Sequence, residues 1–350
     1  MNKPSEIQIE NEKDSTDLLD EALKSPLEQT LRSTAFSQDG SIQLSAIVNT
    51  YLNYALQQNH VAVVQAIAIK NSSLENLEDV SVRIWTDVEV IAPYEKQFGD
   101  ISAGDVRYFR RPKLMMDGKF LSSITEQMTC SLYIAAYSGN TEVVRIGKEV
   151  DLYPFDFYPA NCPDHILAAF VMPNHPVVTS LLQFAAKQLE EWGYSPSLEG
   201  YQSGERGRVL QLAAAAYASI QKLNIVYAEP PKSFSPKGED EEYDPEKLYG
   251  QRVRLADEIM DTHLGTCMDL TLLYASCLEA MGLNPLLIRI KGHIFAGVWL
   301  IDESFSDPWN DDSSQIGNRF ADGIGQIAVI ECTAMCAGKS PFISARRRTM

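Results

Sequence analysis

One stretch in the last third of the chain, residues 265–300, constrains the fold more than any other. The hydroxyl of Thr266 can accept a hydrogen bond from the first turn of a helix, and Asp269 completes a capping box three residues later. Apolar side chains then recur at spacings of three and four residues until Gly282, which supplies a left-handed stop. The pattern predicts a buried amphipathic helix whose first residue is Cys267.

The predicted place of Cys267 bears on its chemistry. Backbone N–H groups and the helix dipole favour a thiolate at a helix N-terminus, where the pKa of a cysteine falls from about 8.5 to roughly 3.5–7.5. Cys277 lies in the middle of the same helix, on its apolar face, and is expected to be a core residue. The sequence therefore predicts that Cys267 carries the activated thiol of this helix.

Three apolar runs after the helix predict β-strands. The second run begins at His293, directly after a Lys-Gly break, and the third carries Glu331 among apolar neighbours. A carboxylate in such a position needs a partner, because an unpaired buried charge is very costly. Antiparallel pairing of these strands beside the helix would bring His293 close to Cys267, and an imidazole is a fitting partner for Glu331.

These residues form a candidate catalytic triad. Cys267 is the candidate nucleophile, His293 the general base and acid, and Glu331 the carboxylate that orients the imidazole. Asp302, just past the strand that begins at His293, is a rival for the third position.

Further residues are candidates for supporting roles, and a metal site is not expected. Gln251 and Tyr227 are both candidate oxyanion donors, although packing is the more expected role of Tyr227, and Asp269 is a candidate supporting residue. His165 and His175 flank an apolar segment, but no cysteine or carboxylate pair near them has ligand spacing. Neither a metal nor another cofactor is expected.

The triad resembles that of the transglutaminase-like superfamily of papain-fold cysteine enzymes, in which a nucleophile helix packs on an antiparallel sheet. The family order is cysteine, histidine and then an acid, usually the aspartate of a D-P-T motif. Here the corresponding motif is Glu331-Cys332-Thr333, so glutamate replaces aspartate and cysteine replaces proline. The resemblance implies a papain-like α+β domain over residues 155–350.

A narrower resemblance covers nearly the whole chain from about Ser41 onward. It is to the N-terminal region of large bacterial helicase-nuclease proteins that are found among defence genes against phages and other foreign DNA. The blocks that carry it are LAAFVMPNHPVV, LEGYQSGERGRV, NIVYAEPPKSF, GQRVRLADEI, GTCMDLTLLYASCLEAMGLNP and GHIFAGVWL. Because no Walker A sequence (GxxxxGK followed by Ser or Thr) is present, the chain looks like the front module alone, whose partner is a helicase or nuclease domain or protein.

Ahead of this domain the sequence predicts a different one. Residues 41–154 contain short β-rich runs separated by turn sequences, which is typical of an antiparallel β-sandwich of immunoglobulin-like type. Residues 1–40 are polar, acidic and poor in aromatic residues, and are expected to be a flexible leader. Within residues 155–350, an acidic segment at 234–250 is expected to be an exposed loop. The predicted fold class is α+β.

Composition limits the location and the partners. The six cysteines lack ladder spacing, and neither a signal peptide nor a long apolar span is present. We therefore expect a cytoplasmic protein with reduced thiols and no membrane contact. The formal net charge is -17, and the compact basic clusters, at 110–113 and 346–348, are short. Direct nucleic-acid binding by this module is not expected, because gripping a phosphate backbone takes clustered Lys and Arg.

Two classes of function stay open on the sequence. In the first, Cys267 attacks a protein amide and His293 protonates the leaving amine; release by water gives a cysteine peptidase or deamidase, and release by an amine gives a transglutaminase. The resemblance places such a thiol hydrolase in a bacterial anti-phage defence system. In the second, the papain-like core is an inactive scaffold or sensor module that docks a helicase or nuclease. Pairing of Glu331 with His293 favours the enzyme, and pairing with Arg289 or with solvent favours the scaffold.

Overall fold

The protein is a mixed α+β chain, which confirms the predicted class at this level. It forms two compact units, the first ending at Phe155 and the second beginning at Asp156. In the part of the chain that is described, no helix has the length and hydropathy needed to cross a membrane. The structure is a computed structural model, and it describes residues 32–159, 162, 164–229, 250–321 and 323–347.

The described part of the first unit contains nine strands and two short helices. Its strands are β1 (Arg32–Phe36), β2 (Ile42–Val48), β3 (Tyr51–Leu52), β4 (Val64–Asn71), β5 (Leu77–Thr86), β6 (Tyr94–Ile101), β7 (Val106–Arg110), β8 (Met128–Ser138) and β9 (Thr141–Leu152). Its helices are α1 (Tyr54–Gln58) and α2 (Gly118–Ser123).

These strands form two sheets. One has the order β1-β2-β4-β7 and is antiparallel throughout. The other has the order β3-β9-β8-β5-β6, in which only the short pair β3 and β9 is parallel. Side chains alternate along the strands, so that in β8 Leu132 and Ile134 are buried while Tyr133 between them is partly exposed. The sheets contact each other through β1, β2 and β9, which places one core between them.

The prediction of a flexible leader up to residue 40 is wrong for its last part. Residues 32–36 form β1, which pairs with β2 so that Arg32 lies opposite Ile47 and Phe36 opposite Gln43. β1 is an edge strand with every second residue exposed, and such a strand needs no apolar run to form. Residues 1–31 of the predicted leader lie outside the described residues.

The second unit carries the candidate site. Its helices are α3 (Pro176–Glu191), α4 (Arg206–Gln221), α5 (Ala256–Thr262), α6 (Cys267–Ala280), α7 (Ser313–Phe320) and α8 (Phe342–Arg347), with 3-10 turns at Asp164–Phe170 and Cys332–Met335. Its strands are β10 (Phe157–Pro159), β11 (Val226–Tyr227), β12 (Gly250–Arg252), β13 (Leu264–Gly265), β14 (Pro285–Ile290), β15 (His293–Trp299) and β16 (Ile327–Ile330).

The predicted acidic loop at 234–250 falls almost wholly outside this description. Residues 234–249 are not described, and its last residue, Gly250, is the first residue of β12 and not part of a loop. β12 pairs with β10, so Gly250 lies opposite Pro159. A glycine suits this position, because a Cβ there would lie 2.5 Å from the carbonyl oxygen of Tyr158.

α6 begins and ends as the sequence predicts. The Thr266 hydroxyl accepts from the Asp269 N–H at 3.2 Å, and the Asp269 carboxylate accepts from the Thr266 N–H at 2.8 Å, which completes the capping box. Cys267 is the first helical residue, and Gly282 follows the helix at φ +77°.

The prediction that α6 is amphipathic is wrong, because α6 is buried on all sides. Every residue from Cys267 to Leu278 is buried, including the polar Thr271 and Ser276. Their hydroxyls are paired: Thr271 donates to the Ile294 carbonyl, and Ser276 donates to the Leu272 carbonyl within the helix. A helix that is surrounded by protein on all sides does not need a single apolar face. The spacing of apolar residues therefore does not show by itself how such a helix packs.

A three-stranded antiparallel sheet in the order β14-β15-β16 packs on α6. In β15, Ala296 and Val298 belong to the core shared with α6, whereas Phe295 and Trp299 belong to a smaller apolar cluster on the other face. The sheet therefore presents the start of β15, with His293, beside the start of α6.

The loop that contains Gly200 closely approaches the end of α6, and substitution of two glycines by alanine tests how much this approach matters. Gly200 has φ +58°, and a Cβ there would lie 3.0 Å from the carbonyl oxygens of Met281 and Gly282. Gly193 has a similar φ of +79° with nothing within 4 Å, so it is the matched control. We expect Gly193→Ala to lower the free energy of unfolding by about 1 kcal/mol from backbone strain, and Gly200→Ala to lower it by about 2–3 kcal/mol. Urea unfolding measures both, and equal losses would show that the close approach contributes nothing.

Candidate active site

The thiol of Cys267 lies at the buried N-terminus of α6, and the residue is 8% exposed. Burial raises the pKa of this thiol above its ordinary value. Hydrogen bonds to the sulfur from the N–H groups of Ile294 and Met268 and from the Tyr227 hydroxyl oppose the rise without cancelling it, and the nearby charge of Asp269 adds to it. The predicted lowering of the thiol pKa is therefore wrong: the helix start supplies donors, but burial outweighs them.

His293 stands at the start of β15 and contacts Glu331, the residue that follows β16. Its Nε2 lies 2.7 Å from Oε2 of Glu331. Both side chains are mostly buried, with exposed fractions of 29% and 17%. The contact leaves Nδ1 as the ring nitrogen that is not used by Glu331.

The other oxygen of Glu331 is also held. Its Oε1 accepts from the N–H of Thr333 at 3.0 Å and from the Thr333 hydroxyl at 2.7 Å. Burial by itself raises the pKa of Glu331, but the hydrogen bonds from His293 and Thr333 together hold that pKa below its ordinary value. Glu331 is therefore a fixed, charged acceptor for the imidazole at neutral pH.

Backbone contacts join the thiol to the histidine. The sulfur of Cys267 receives the N–H of Ile294, the residue next to His293. The hydroxyl of Thr271, one turn further along α6, donates to the Ile294 carbonyl at 3.3 Å. The start of α6 and the start of β15 are thus joined by hydrogen bonds. The sulfur of Cys267 lies beside the backbone of the residue that follows His293, and the imidazole of His293 contacts Glu331.

The alternative partners that the sequence left open are engaged elsewhere. Arg289 pairs with Asp164 at 2.7 Å and donates to the Tyr158 hydroxyl at 3.2 Å. Asp302, the rival acid, lies exposed after β15. Of the two candidate acids, Glu331 is the one that contacts His293.

The two candidate supporting residues both serve the start of α6. Gln251 is buried and its side-chain amide donates to the Thr266 hydroxyl at 3.0 Å. Asp269 is fully buried and, besides capping Thr266, accepts from the backbone N–H of Arg254 at 2.9 Å and from its guanidinium at 3.2 Å. Burial raises the pKa of Asp269, although these donors oppose it.

Tyr227, for which the sequence favours packing over donation to an oxyanion, contacts the sulfur of Cys267. Its hydroxyl donates to Cys267. Burial and the neighbouring Cys267 raise the pKa of Tyr227 to about 12, so the hydroxyl keeps its proton at neutral pH. Strand pairing explains the position, because β11 runs parallel to β13, with Tyr227 opposite Gly265 at the approach to Cys267.

Two other neighbours of the site, Arg254 and Lys339, do not follow from the sequence analysis. Arg254 could have been identified, because a buried Asp269 needs a cationic partner and Arg254 is close to it in the chain. Lys339 could not have been identified, because its ammonium lies 5.2 Å from the centre of the Tyr227 ring, a contact between residues more than a hundred positions apart.

Another histidine of the second unit, His175, serves as a helix cap. The Nδ1 of His175 accepts from the Val177 N–H at the start of α3. All six cysteines are free thiols. Among the residues that the structure describes, no group of three or more His, Cys, Asp and Glu side chains is arranged to hold a metal ion.

Comparison with known proteins adds no assignment. No protein-family model matches this chain, and no curated protein matches it. The resemblance to transglutaminase-like enzymes therefore stays a prediction that rests on the residues quoted for it.

The lowered pKa of Glu331 has a consequence for stability. Because this pKa is below the ordinary value of 4.5 in the folded protein, the charged form stabilises the fold above about pH 4.5, and the contribution is lost as the pH falls through the lower folded value. We expect Glu331→Gln to lower the free energy of unfolding by about 1–2 kcal/mol at pH 7, and by less below pH 4.5. Urea unfolding of both proteins from pH 7 to pH 3 measures this, and a pH-independent difference would contradict it.

The raised pKa of Cys267 predicts how the thiol titrates. We expect the rate of Cys267 alkylation by iodoacetamide, followed by peptide mass spectrometry, to reach half of its maximum above pH 9.0. Tyr227→Phe removes one hydrogen-bond donor and shifts the midpoint further upward. Full labelling below pH 7 would instead show a preformed thiolate and contradict the dominance of burial.

Proposed function

We propose that the second unit is a thiol hydrolase of transglutaminase-like, papain-fold type that acts on protein amides through Cys267, His293 and Glu331. The observation that carries the proposal is the 2.7 Å contact between His293 Nε2 and Glu331 Oε2, next to a thiol at a buried helix start. A nucleophile, a base and a group that orients the base are the components of acyl-transfer sites on several folds.

The first step follows from the state of the thiol. Because burial raises the pKa of Cys267, its sulfur is protonated at neutral pH, and His293 must take the proton as the sulfur attacks the carbonyl carbon. Glu331 occupies Nε2, so Nδ1 is the nitrogen that receives this proton. The charged Glu331 then stabilises the imidazolium that forms.

The oxyanion that develops on the carbonyl oxygen needs hydrogen-bond donors close to the sulfur. Tyr227 and the backbone N–H of Met268 already face the sulfur, and a carbonyl bound there would lie beside the same groups. Gln251, the donor expected from the sequence, is directed at Thr266 and holds the helix cap. We therefore assign the oxyanion to Tyr227 and Met268, and a supporting role to Gln251.

The second step completes the hydrolysis. His293 gives its proton to the leaving amine, the C–N bond breaks, and a thioester remains on Cys267. Water, activated by the same imidazole, then attacks the thioester and frees the acid and the thiol. The activity depends on which amide is cleaved. Cleavage of a backbone amide is peptidase activity, and cleavage of a side-chain amide is deamidase activity.

The role of the first unit and the biological setting are proposed from the resemblance. We assign the two contacting sheets of the first unit to an immunoglobulin-like sandwich that binds a partner or acts as a spacer and takes no part in catalysis. By the same resemblance, the chain serves a cytoplasmic bacterial anti-phage defence system as the front module of a helicase or nuclease, whether on the same chain or on a partner.

A second candidate function is an inactive scaffold or sensor module. The observation that favours it is the burial of Cys267, which keeps the thiol protonated and limits access to it. In this case the His293–Glu331 contact would serve only to join β15 to the segment after β16. The two functions differ in whether the sulfur becomes acylated.

Acylation by p-nitrophenyl acetate separates the two functions. We expect a burst of nitrophenol and one acetyl group on Cys267, read by mass spectrometry, that Cys267→Ala abolishes. His293→Ala should slow acylation about 10²–10⁴-fold, because general-base catalysis is lost. Cys277→Ala, which removes another buried thiol of the same helix, is the matched control and should leave the burst in place. If His293→Ala is acylated at an unchanged rate, the hydrolase is rejected and the scaffold is the remaining candidate function.

A further inference from the structure

One short segment supports the candidate site at both of its ends. The Glu331–Lys339 loop, residues 331–339, begins with the carboxylate that contacts His293. It ends with Lys339, whose ammonium lies 5.2 Å from the centre of the Tyr227 ring. The Tyr227 hydroxyl donates to the sulfur of Cys267, and His293 precedes Ile294, whose N–H also donates to that sulfur.

The far end of this loop is held in place by backbone contacts. The N–H of Ala337 donates to the carbonyl of Ile225, just before β11, at 2.9 Å. The N–H of Lys339 donates back to the Cys336 carbonyl at 3.1 Å, which closes a turn. The backbone at Lys339 is thus held next to β11, the strand that contains Tyr227. This anchoring keeps the Lys339 side chain close to the Tyr227 ring.

We infer that Lys339 is a positioning residue of the candidate active site, which acts through the ring of Tyr227 on the hydroxyl that faces Cys267. The ammonium is attracted to the negative face of the ring, and this attraction keeps the phenol over the loop with its hydroxyl at the sulfur. The positive charge also draws electron density from the ring, so the hydroxyl becomes a stronger hydrogen-bond donor.

The effect of Lys339 on the resting thiol is separate from its effect on the reaction. The contact of the hydroxyl with the sulfur exists in the resting protein and does not depend on catalysis. The effect on the oxyanion rests on the proposed function. A measurement on the resting thiol therefore tests Lys339 even if the protein is not an enzyme.

The resting thiol is tested by the pH dependence of Cys267 alkylation by iodoacetamide in the full chain. Lys339→Met removes the charge and keeps the length of the side chain, so Tyr227 donates less well and the apparent pKa of Cys267 rises. We expect about two- to fivefold less thiolate at a fixed pH below the midpoint, the size expected for an exposed cation–π contact. Lys339→Arg retains a cation for the ring and should restore the wild-type profile.

Two further variants separate this effect from a structural one. Lys187, whose ammonium lies 5.9 Å from the centre of the Phe184 ring on α3, offers a similar contact, and Lys187→Met should leave the profile unchanged. In a Tyr227→Phe background the ring remains but the hydroxyl is gone, so adding Lys339→Met should have no further effect. Thermal unfolding of each variant verifies that it is folded.

The outcomes decide the inference. A shift in Lys339→Met that Lys339→Arg reverses and Tyr227→Phe abolishes supports it. No shift, or an equal shift in the Tyr227→Phe background, overturns it, since the charge would then act without the hydroxyl. Acylation by p-nitrophenyl acetate is followed in parallel: its absence in the wild type rejects the proposed function, while the alkylation profiles still decide the role of Lys339.

Discussion

The buried start of α6 is the constraint on which the site depends. A helix start leaves backbone N–H groups without partners inside the helix, and in a buried position the protein itself must supply acceptors. Thr266 and Asp269 do so, and the buried carboxylate of Asp269 in turn requires the donors of Arg254. This chain of requirements fixes the first residue of the helix, and that residue is Cys267.

The same burial shapes the chemistry of the thiol. An exposed helix start favours a thiolate, but here desolvation of the sulfur outweighs the donors around it, and the pKa of Cys267 is raised. Under the proposed function a protonated thiol needs a base, and that role is proposed for His293, which contacts Glu331. The lowered pKa of Glu331 and the raised pKa of Cys267 thus place the negative charge of the resting site on the carboxylate.

The sequence predicts the local features of the site and misses its distant ones. The capping box, the first residue of α6 and its glycine stop follow from residues close in the chain, and so does the α+β class. The burial of α6 on all sides, and with it the sign of the shift in the pKa of Cys267, depends on which elements cover the helix, and periodicity does not report this. β1 could not be predicted because a polar edge strand resembles a flexible leader in sequence. The contact of Lys339 could not be predicted because its partner, Tyr227, is far away in the chain.

The tautomer of His293 tests the central claim most directly, because Glu331 is useful for catalysis only if it leaves Nδ1 free to accept a proton. Nitrogen-15 NMR of the protein labelled at histidine, with His293 assigned by its loss in His293→Ala, reads which ring nitrogen carries the proton. We predict that neutral His293 is protonated at Nε2, toward Glu331, with an unprotonated Nδ1, and that Glu331→Gln disturbs this state. Neutral His293 protonated at Nδ1 would leave no base for Cys267 and contradict the assignment of the triad.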